Sequence, residues 1–321
     1  SLAIVKLMAL RLAGHLDTEV LRARMSLAIP DPDRLRDILP DAPGSGVAAL
    51  PEYAQLFPTV PRFADATMAE QHALSPFARA PLAGASNVWA AAPTRSASGG
   101  TLLANDPHLG FSAPSIWYLA RLELQSGGVI GGTIPGMPVV LTGRSNDLGW
   151  GLTSAKLDDQ DVYIEQVNTD NTEEYRTPSG FKSFTTRKSI INIKDEAPIT
   201  ITLRWTDNGP VLPGSHYNLA SITPSGHVAA VSWTALSPRD TSMGAALRLM
   251  EAKSVEDGFA AIEDYIAPAQ NLMLVDRENI GMKMIGAMPR RDARHQSKGR
   301  LPSPGWIETN RWQGQLPYTA S

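Results

Sequence analysis

The sequence predicts an α+β fold, because its helical and strand-like segments occur in blocks and do not alternate. A helical pattern opens the chain, a long series of short strand-like runs follows, and two helical segments precede the last of these runs. A parallel α/β sheet would instead show strands and helices in regular alternation. The 321 residues are 43% apolar and 19% charged, which supplies enough apolar material for the core of one large domain or two smaller ones.

The N-terminal segment predicts a helix over residues 2–25, since apolar residues recur there at helical spacing. Asp31 followed by Pro32 is a cap and first-turn pair, and it predicts a second, short helix over 32–39. Seven prolines punctuate residues 40–85, where no periodicity is sustained. This stretch is therefore expected to be an exposed connecting segment.

From residue 86 onward, short runs of apolar and β-branched residues are bounded by turn-forming residues, which is typical of strands. Strands are predicted at 101–105, 116–124, 129–134, 138–143, 148–154, 162–167, 188–194, 198–205 and 227–234. A hairpin over 271–287 is expected to turn near Glu278 and Asn279. One helix is predicted over about 242–251, and a second follows Ser254, which can form a capping box with Asp257.

Composition excludes several functional classes. Lys and Arg total 29 and Asp and Glu total 32, so the net charge of −3 gives no support for a nucleic-acid binder. The absence of cysteine excludes a disulfide framework, a thiolate nucleophile and a Cys-ligated metal. No apolar run reaches the roughly 18 residues of a membrane span. Aromatic residues make up only 7%, which disfavours a carbohydrate-binding module.

Several polar and glycine-containing strings punctuate the predicted strands. In chain order they are GASNVW (84–89), LANDPHLG (103–110), GRSNDLGWG (143–151), DDQD (158–161), NGP (208–210), AQNL (269–272), GAMPRR (286–291), PGW (304–306) and WQG (312–314). Each string is weak evidence alone, but in this order they resemble the penicillin acylase family of N-terminal-nucleophile (Ntn) hydrolases. The resemblance extends over nearly the whole chain.

The resemblance implies a four-layer αββα fold, in which two antiparallel sheets stack between helices. It also implies a partial precursor: the end of an α chain at 1–40, a spacer at 41–85 and the first part of a β chain at 86–321. Precursors of the family carry a signal peptide and mature into an α/β heterodimer. A periplasmic or secreted location is therefore expected.

Ser86 is the nucleophile that the resemblance implies, and the bond between Ala85 and Ser86 is the self-cleavage site. Many relatives carry glycine at the position of Ala85. Cleavage would give Ser86 a free α-amino group, which can accept the proton of its own hydroxyl. The alternative is an uncleaved or truncated homologue that binds acyl ligands without turnover, with Ser86 an ordinary loop serine.

The remaining catalytic groups also follow from the resemblance. The backbone N–H of Ser154 and the side-chain amide of Asn271 are the expected oxyanion donors. The backbone of His108 is expected beside the nucleophile, with its ring tuning the amine, and Arg291 is expected to orient the polar groups. The alternatives are a turn residue at Asn271, a structural histidine at His108 and a surface charge at Arg291.

The acyl pocket is expected to include Leu109, Thr142 and Leu152. The penicillin G enzymes carry aromatic residues at the first two positions, so leucine and threonine favour an aliphatic acyl chain. The expected substrate is a linear amide: a penicillin, a cephalosporin or an N-acyl amide such as an acyl-homoserine lactone.

A structural calcium ion is expected at residues 158–161, because closely spaced carboxylates suit this ion. In the family, the matching ligands are the side chains of Asp158 and Asp161, the carbonyl of Gln160 and a carboxylate of the α chain, here Glu19. The alternative is a solvated acidic loop. No organic cofactor is expected.

Overall fold

The computed structural model confirms the α+β class. It describes residues 5–6, 9–10, 15–29, 31, 33–35, 53, 55–57, 86–109, 113–295 and 297–317. Most of the predicted connecting segment and Ala85 therefore lie outside the described residues, as does most of the predicted helix over 32–39. The Asp31 carboxylate accepts a hydrogen bond from the backbone N–H of Asp33 at 2.9 Å, as expected of a cap.

Three α-helices and eighteen strands are described. The helices are α1 (His15–Ala28), α2 (Ser242–Leu249) and α3 (Val255–Ala261). The first nine strands are β1 (Asn87–Ala91), β2 (Leu102–Asp106), β3 (Tyr118–Leu124), β4 (Gly127–Thr133), β5 (Thr142–Arg144), β6 (Gly149–Ser154), β7 (Gln160–Gln166), β8 (Glu174–Thr177) and β9 (Gly180–Ser183). The others are β10 (Thr185–Ile191), β11 (Ile199–Thr206), β12 (Gly209–Leu212), β13 (His227–Trp233), β14 (Gln270–Val275), β15 (Ile280–Ile285), β16 (Ala287–Pro289), β17 (Ser303–Pro304) and β18 (Gln315–Pro317).

Two six-stranded sheets organise these elements. Sheet I has the strand order β15–β14–β6–β5–β4–β3, and sheet II has the order β10–β11–β12–β13–β7–β17. All described pairings are antiparallel except that of β17 with β7. Strands β1 and β2 form a separate two-stranded hairpin, and β8–β9 and β16–β18 form two further pairs.

Sheet I buries one face against α2 and α3. Alternate residues of its central strands, including Trp150, Leu272 and Leu274, pack into a core with Leu249 of α2. Helix α3 begins as predicted, because the Ser254 hydroxyl accepts a hydrogen bond from the N–H of Asp257 at 3.1 Å. The helices therefore lie on one side of sheet I.

The β1–β2 hairpin packs on the opposite face of sheet I. Close packing is possible because Gly151 has no side chain: a Cβ there would lie 2.9 Å from Cγ2 of Val88 and 3.0 Å from Cβ of Asn105. The outer face of the hairpin is exposed at Trp89 and Leu102. The two helices, sheet I and the hairpin form three successive layers of the expected αββα order. The described residues contain no helical layer over the hairpin.

Sheet II forms a second core with helix α1. One face of the helix buries Leu16, Val20, Ala23 and Leu27 against β7, β13 and the 3₁₀ turns at His216–Ile222. None of the described helices is long and apolar enough to cross a membrane.

Most predicted strands, and the two helices predicted after residue 240, are confirmed within a few residues of their bounds. Of the helix predicted over 2–25, the structure describes α1 from His15 to Ala28 and helical residues at 5–6 and 9–10. The prediction over 138–143 is wrong in extent, because Val139 and Val140 turn into the core and only the last two positions begin β5. Strands β1, β8, β9 and β12 were not predicted. They are four or five residues long, too short to show a period.

Candidate active site

Ser86 immediately precedes β1, so the hairpin holds it at one end of the face that packs on sheet I. Its Oγ accepts a hydrogen bond from the backbone N–H of His108, just past the end of β2, at 3.2 Å. The His108 ring does not turn toward Ser86. Its Nε2 lies 2.7 Å from the carboxylate of Asp106. The structure thus places the His108 backbone beside Ser86 and gives the His108 ring a partner that the sequence did not indicate.

The two predicted oxyanion donors lie on neighbouring strands of sheet I. Asn271 in β14 pairs in register with Thr153 in β6, one residue before Ser154. The Asn271 amide donates to Thr153 Oγ1 at 3.0 Å and to the Ser154 carbonyl at 3.4 Å. Because side chains alternate along a strand, Asn271 and Thr153 share the face that Gly151 turns toward the hairpin. The amide is therefore on the same side of the sheet as Ser86.

Asn105 joins the hairpin to sheet I, and sequence reasoning gave it no role. Its Nδ2 donates to the carbonyls of Asn87 at 2.8 Å and Leu152 at 3.0 Å. Its Oδ1 accepts from the Thr142 hydroxyl at 2.7 Å and from the N–H of Leu152 at 3.1 Å. The Asn105 amide thus connects Asn87, the residue after Ser86, to the strand that carries Ser154. Its place in the LANDPHLG string was the available signal.

An apolar cavity of about 120 Å³ opens beside Ser86. Ser86 and Ser154 both line it, and so do the three predicted pocket residues Leu109, Thr142 and Leu152. Its deeper wall is apolar and comes from the core between sheet I and α2. That wall includes Met137, Val139, Met243, Leu249 and Ile262. The cavity can therefore take an extended apolar group whose end lies at Ser86.

The predicted calcium ligands converge at sheet II, around a guanidinium. Arg291 donates to both carboxylate oxygens of Asp161, at 2.9 and 2.6 Å, and to the Asp158 carbonyl at 3.3 Å. Trp312 Nε1 also donates to Asp161. The buried Glu19 carboxylate accepts the N–H of Val162, at 3.2 and 3.1 Å from its two oxygens.

Burial dominates the electrostatics of this acidic cluster. It raises the pKa of Glu19 well above the ordinary value, and the charges of Asp161 and Asp158 raise it further. Burial likewise raises the pKa of Asp158 to about 7 and that of Asp159 to about 6. Burial alone would lower the pKa of Arg291, but its hydrogen bonds and charge interaction with Asp161 raise it instead.

These residues have oxygen donors of the kind that calcium prefers, but their arrangement does not fit the ion. Both oxygens of Asp161 already accept hydrogen bonds from Arg291, and both oxygens of Glu19 lie within hydrogen-bond distance of the N–H of Val162. No group of three or more His, Asp or Glu residues arranged to hold a metal occurs within the described ranges.

The placement of Arg291 corrects a sequence expectation. The resemblance implied an arginine that orients the polar groups of the active site, whereas the described contacts of Arg291 are with Asp158 and Asp161 of sheet II. Asp161 and Asp158 precede Arg291 by 130 and 133 positions, so no local sequence pattern indicates that they contact it. Ala85 lies outside the described residues.

Comparison with known proteins decides the family. The sequence profile of the penicillin amidase family matches residues 1–321. The chain belongs to the penicillin amidase family. It is 32% identical over 235 residues to the acyl-homoserine lactone acylase QuiP of Pseudomonas aeruginosa, an alignment that covers 72% of this chain and 27% of that protein. It is 28% identical over 239 residues to the penicillin acylase 2 proenzyme of Pseudomonas sp. strain SE83, covering 74% and 30% respectively.

The fold of this penicillin amidase family member matches a solved relative. A thermostable penicillin G acylase from Alcaligenes faecalis superposes with a TM-score of 0.62 and 24% identity, covering 71% of this chain and 40% of that one. The expected Ntn-hydrolase fold is thereby confirmed. The alignments take in only 27% to 30% of the length of the two curated relatives.

Proposed function

We propose that this penicillin amidase family member hydrolyses a linear amide through an acyl-enzyme formed on Ser86. One observation carries the proposal: Ser86 Oγ, held at 3.2 Å by the His108 N–H, lines the same apolar cavity as Ser154 on the opposing strand. A carbonyl placed between them has a nucleophile on one side and backbone donors on the other. The apolar cavity takes the acyl chain.

Serine needs a base to remove its proton, and an N-terminal serine carries its own. With the bond between Ala85 and Ser86 cleaved, the α-amino group accepts the hydroxyl proton as Oγ attacks the amide carbonyl. Oγ forms the new C–O bond, the carbonyl π electrons move to oxygen, and the C–N bond then breaks. The amine leaves with the proton, and water opens the ester by the same sequence.

The negative charge that develops on the carbonyl oxygen requires donors. The backbone N–H of Ser154 and Nδ2 of Asn271 supply them in this proposal. In the described structure Nδ2 bonds to Thr153 Oγ1, so a bound oxyanion replaces that neutral hydroxyl as its acceptor. An amide does not titrate near neutrality, and this stabilisation is constant across the working pH range.

The acyl chain that we propose is aliphatic. Leu109, Thr142 and Leu152 line the cavity together with methionine, valine and leucine side chains, which suits a flexible alkyl chain. Two relatives carry the names acyl-homoserine lactone acylase and penicillin acylase. An N-acyl amide of the acyl-homoserine lactone type is therefore the substrate class to test first.

Maturation belongs to the same proposal. Cleavage before Ser86 yields two chains that stay together, because α1 is packed into the core of sheet II. A periplasmic or secreted location is proposed from the family resemblance, and cell fractionation tests it.

The decisive experiment is mass spectrometry and N-terminal sequencing of the full-length protein, with amidase assays on the same sample. The expected result is a chain that begins Ser-Asn-Val-Trp and hydrolyses N-acyl amides. Ser86→Ala should remove both cleavage and turnover, with a loss of several orders of magnitude in kcat. Ser86→Cys should still be cleaved, because a thiol can undergo the same acyl shift.

The pH profile distinguishes the amine from a histidine base. The rate should rise through a single ionisation near that of an α-amino group, about 7.7–8.0 when unperturbed. His108→Gln should change the rate, but the rate should still rise with pH through the same ionisation. A folded, uncleaved protein that binds acyl amides without turnover would establish the alternative, a non-catalytic homologue.

A further inference from the structure

Gln270 is the first residue of β14, and its side chain lies on the helix-facing side of sheet I. Side chains alternate along this strand, where Gln270, Leu272 and Leu274 are buried on one face. Gln270 is only 6% exposed. Both Gln270 and Leu272 line the apolar cavity that opens at Ser86.

The Gln270 amide is polar, so its place in an apolar wall is unfavourable unless a hydrogen-bond partner satisfies it. Its Nε2 is buried and has no hydrogen-bond partner among the described residues. A buried donor without an acceptor is unfavourable, and such groups in folded proteins call for an explanation. Trp117 Nε1, which belongs to the same cavity lining, is also buried without a described partner.

The cavity lining therefore includes two buried donors, Gln270 Nε2 and Trp117 Nε1, that have no described acceptor. The amide of Asn105, another polar group of the lining, already accepts two hydrogen bonds at Oδ1. A ligand that satisfies this cavity is apolar along most of its length and carries an oxygen acceptor where the donor lies. An unsubstituted alkyl chain leaves Nε2 of Gln270 desolvated and unpaired.

Strand register places Gln270 beside Ser154. Gln270 in β14 is directly opposite Ser154 in β6, the residue whose backbone N–H is proposed to hold the oxyanion. The Cα atoms of residues directly opposite each other in an antiparallel pair are about 4.5–5.5 Å apart. We therefore expect the acceptor on the acyl chain to lie near the scissile carbonyl and not at the far end of the chain.

We propose that Gln270 is a specificity-determining residue that selects acyl chains bearing an oxygen near the scissile amide, such as β-oxo or β-hydroxy chains. The inference rests on the proposed amide hydrolysis and adds the substituent of the acyl group. The donor acts on the substrate and takes no part in bond cleavage. It is expected to change the ranking of substrates rather than the pH dependence of the reaction.

The test compares kcat/KM of the full-length, processed protein for three chains of equal length: N-octanoyl, N-β-oxooctanoyl and N-β-hydroxyoctanoyl homoserine lactone. The native protein should prefer the two oxygenated chains by roughly tenfold, the effect of one hydrogen bond to a buried donor. Gln270→Met keeps the length of the side chain and removes the donor. It should abolish or reverse the preference, because the oxygen then enters an apolar wall without a partner.

Gln166→Met is the matched control, since Gln166 lies in β7 and accepts from Arg176 at 3.0 Å, outside the cavity. It should leave the ranking of the three chains unchanged. If Gln270→Met does not fold, Gln270→Glu tests the same point, because an oxygen in place of Nε2 should remove the preference for the β-oxo chain.

Two results would overturn the inference, and they differ. Unchanged ranking in an active Gln270→Met or Gln270→Glu protein contradicts the role of Gln270 alone. Failure of the native, cleaved protein to hydrolyse any of the three chains contradicts the proposed function as well.

Discussion

The two six-stranded sheets treat polar groups in opposite ways. Sheet I and its hairpin assemble the candidate active site from uncharged groups: a hydroxyl at Ser86, amides at Asn105 and Asn271, and the backbone of Ser154 and His108. Sheet II buries charges instead. Asp159, Asp161 and Glu165 are each 5% exposed or less.

The difference follows from what each sheet must do. A site that opens to a substrate gains from neutral donors, which need no counter-charge and keep their state as pH changes. Buried carboxylates require partners that hold them in one arrangement, and removal of a partner is costly. Changes to the buried charges of sheet II should therefore alter stability, and changes in the two sheets should have separable effects.

Arg291→Met should give the largest effect, on stability. It leaves the buried carboxylate of Asp161 without its bidentate partner, and breaking such a pair costs about 3–5 kcal/mol. The melting temperature should fall, while kcat of the remaining folded protein should change little. Arg290→Met is the matched control, because exposed Arg290 donates to the Gln313 carbonyl.

Chelation sharpens the same comparison. A cluster neutralised by a guanidinium should keep its melting temperature in EDTA. A fall that added calcium reverses would show that an ion displaces Arg291 from Asp161. A fall in kcat of Arg291→Met with an unchanged melting temperature would restore the active-site role that the family resemblance implied.

Asn105→Ala should give the next largest effect, on chemistry. It removes four hydrogen bonds that fix the hairpin against sheet I, and a misplacement of about 1 Å can cost on the order of a hundredfold in rate. The loss should fall on kcat more than on KM, and steady-state kinetics with an N-acyl amide measures it.

Asn208→Ala is the control for Asn105 in sheet II. The Asn208 amide donates to Glu165 at 2.8 Å and to the Gly305 carbonyl at 3.4 Å. Its loss should lower stability by about 1–3 kcal/mol and leave kcat of the folded protein unchanged. Equal losses of kcat in both variants would contradict the separation of the two sheets.

Glu165→Gln should give the smallest effect, on the pH dependence of stability. Burial raises the pKa of Glu165, so folding takes up a proton. The free energy of unfolding should therefore fall as pH rises from the ordinary carboxyl range through the raised pKa. Glutamine keeps the oxygen that Thr206 and Asn208 donate to and should flatten this part of the curve. Denaturant melts across pH measure it, and an unchanged slope would contradict the shift.

Local signals in the sequence predicted much of the scaffold. The cap at Ser254, the strand ending at Ser154 and the hairpin after Gln270 each depend on residues within a few positions of one another. The pocket residues Leu109, Thr142 and Leu152 were predicted from the family strings, and the structure places them in one cavity.

The rest depends on contacts between distant positions. Arg291 is 130 residues from Asp161, and Asn105 is 47 residues from Leu152. The spacing of apolar and polar residues along the chain does not indicate such pairs. In the sequence, Gln270 was only a neighbour of Asn271 in the AQNL string. Its buried, unpaired donor is a property of the folded packing, where Leu272 and side chains of α2 line the same cavity. A family resemblance transfers the order of motifs more safely than the partner of each side chain.

Helix α1 packs across the two chains that the proposed cleavage before Ser86 would produce. Its contact with sheet II is intramolecular as long as residues 1–321 form one chain. Once the bond before Ser86 is cut, the same contact becomes an interface between two polypeptides, anchored by Glu19 on the N–H of Val162. Reassembly after unfolding then becomes bimolecular, so the apparent stability of the mature form depends on its concentration while that of the precursor does not. Refolding yield on dilution would thus report whether the chain has been cut.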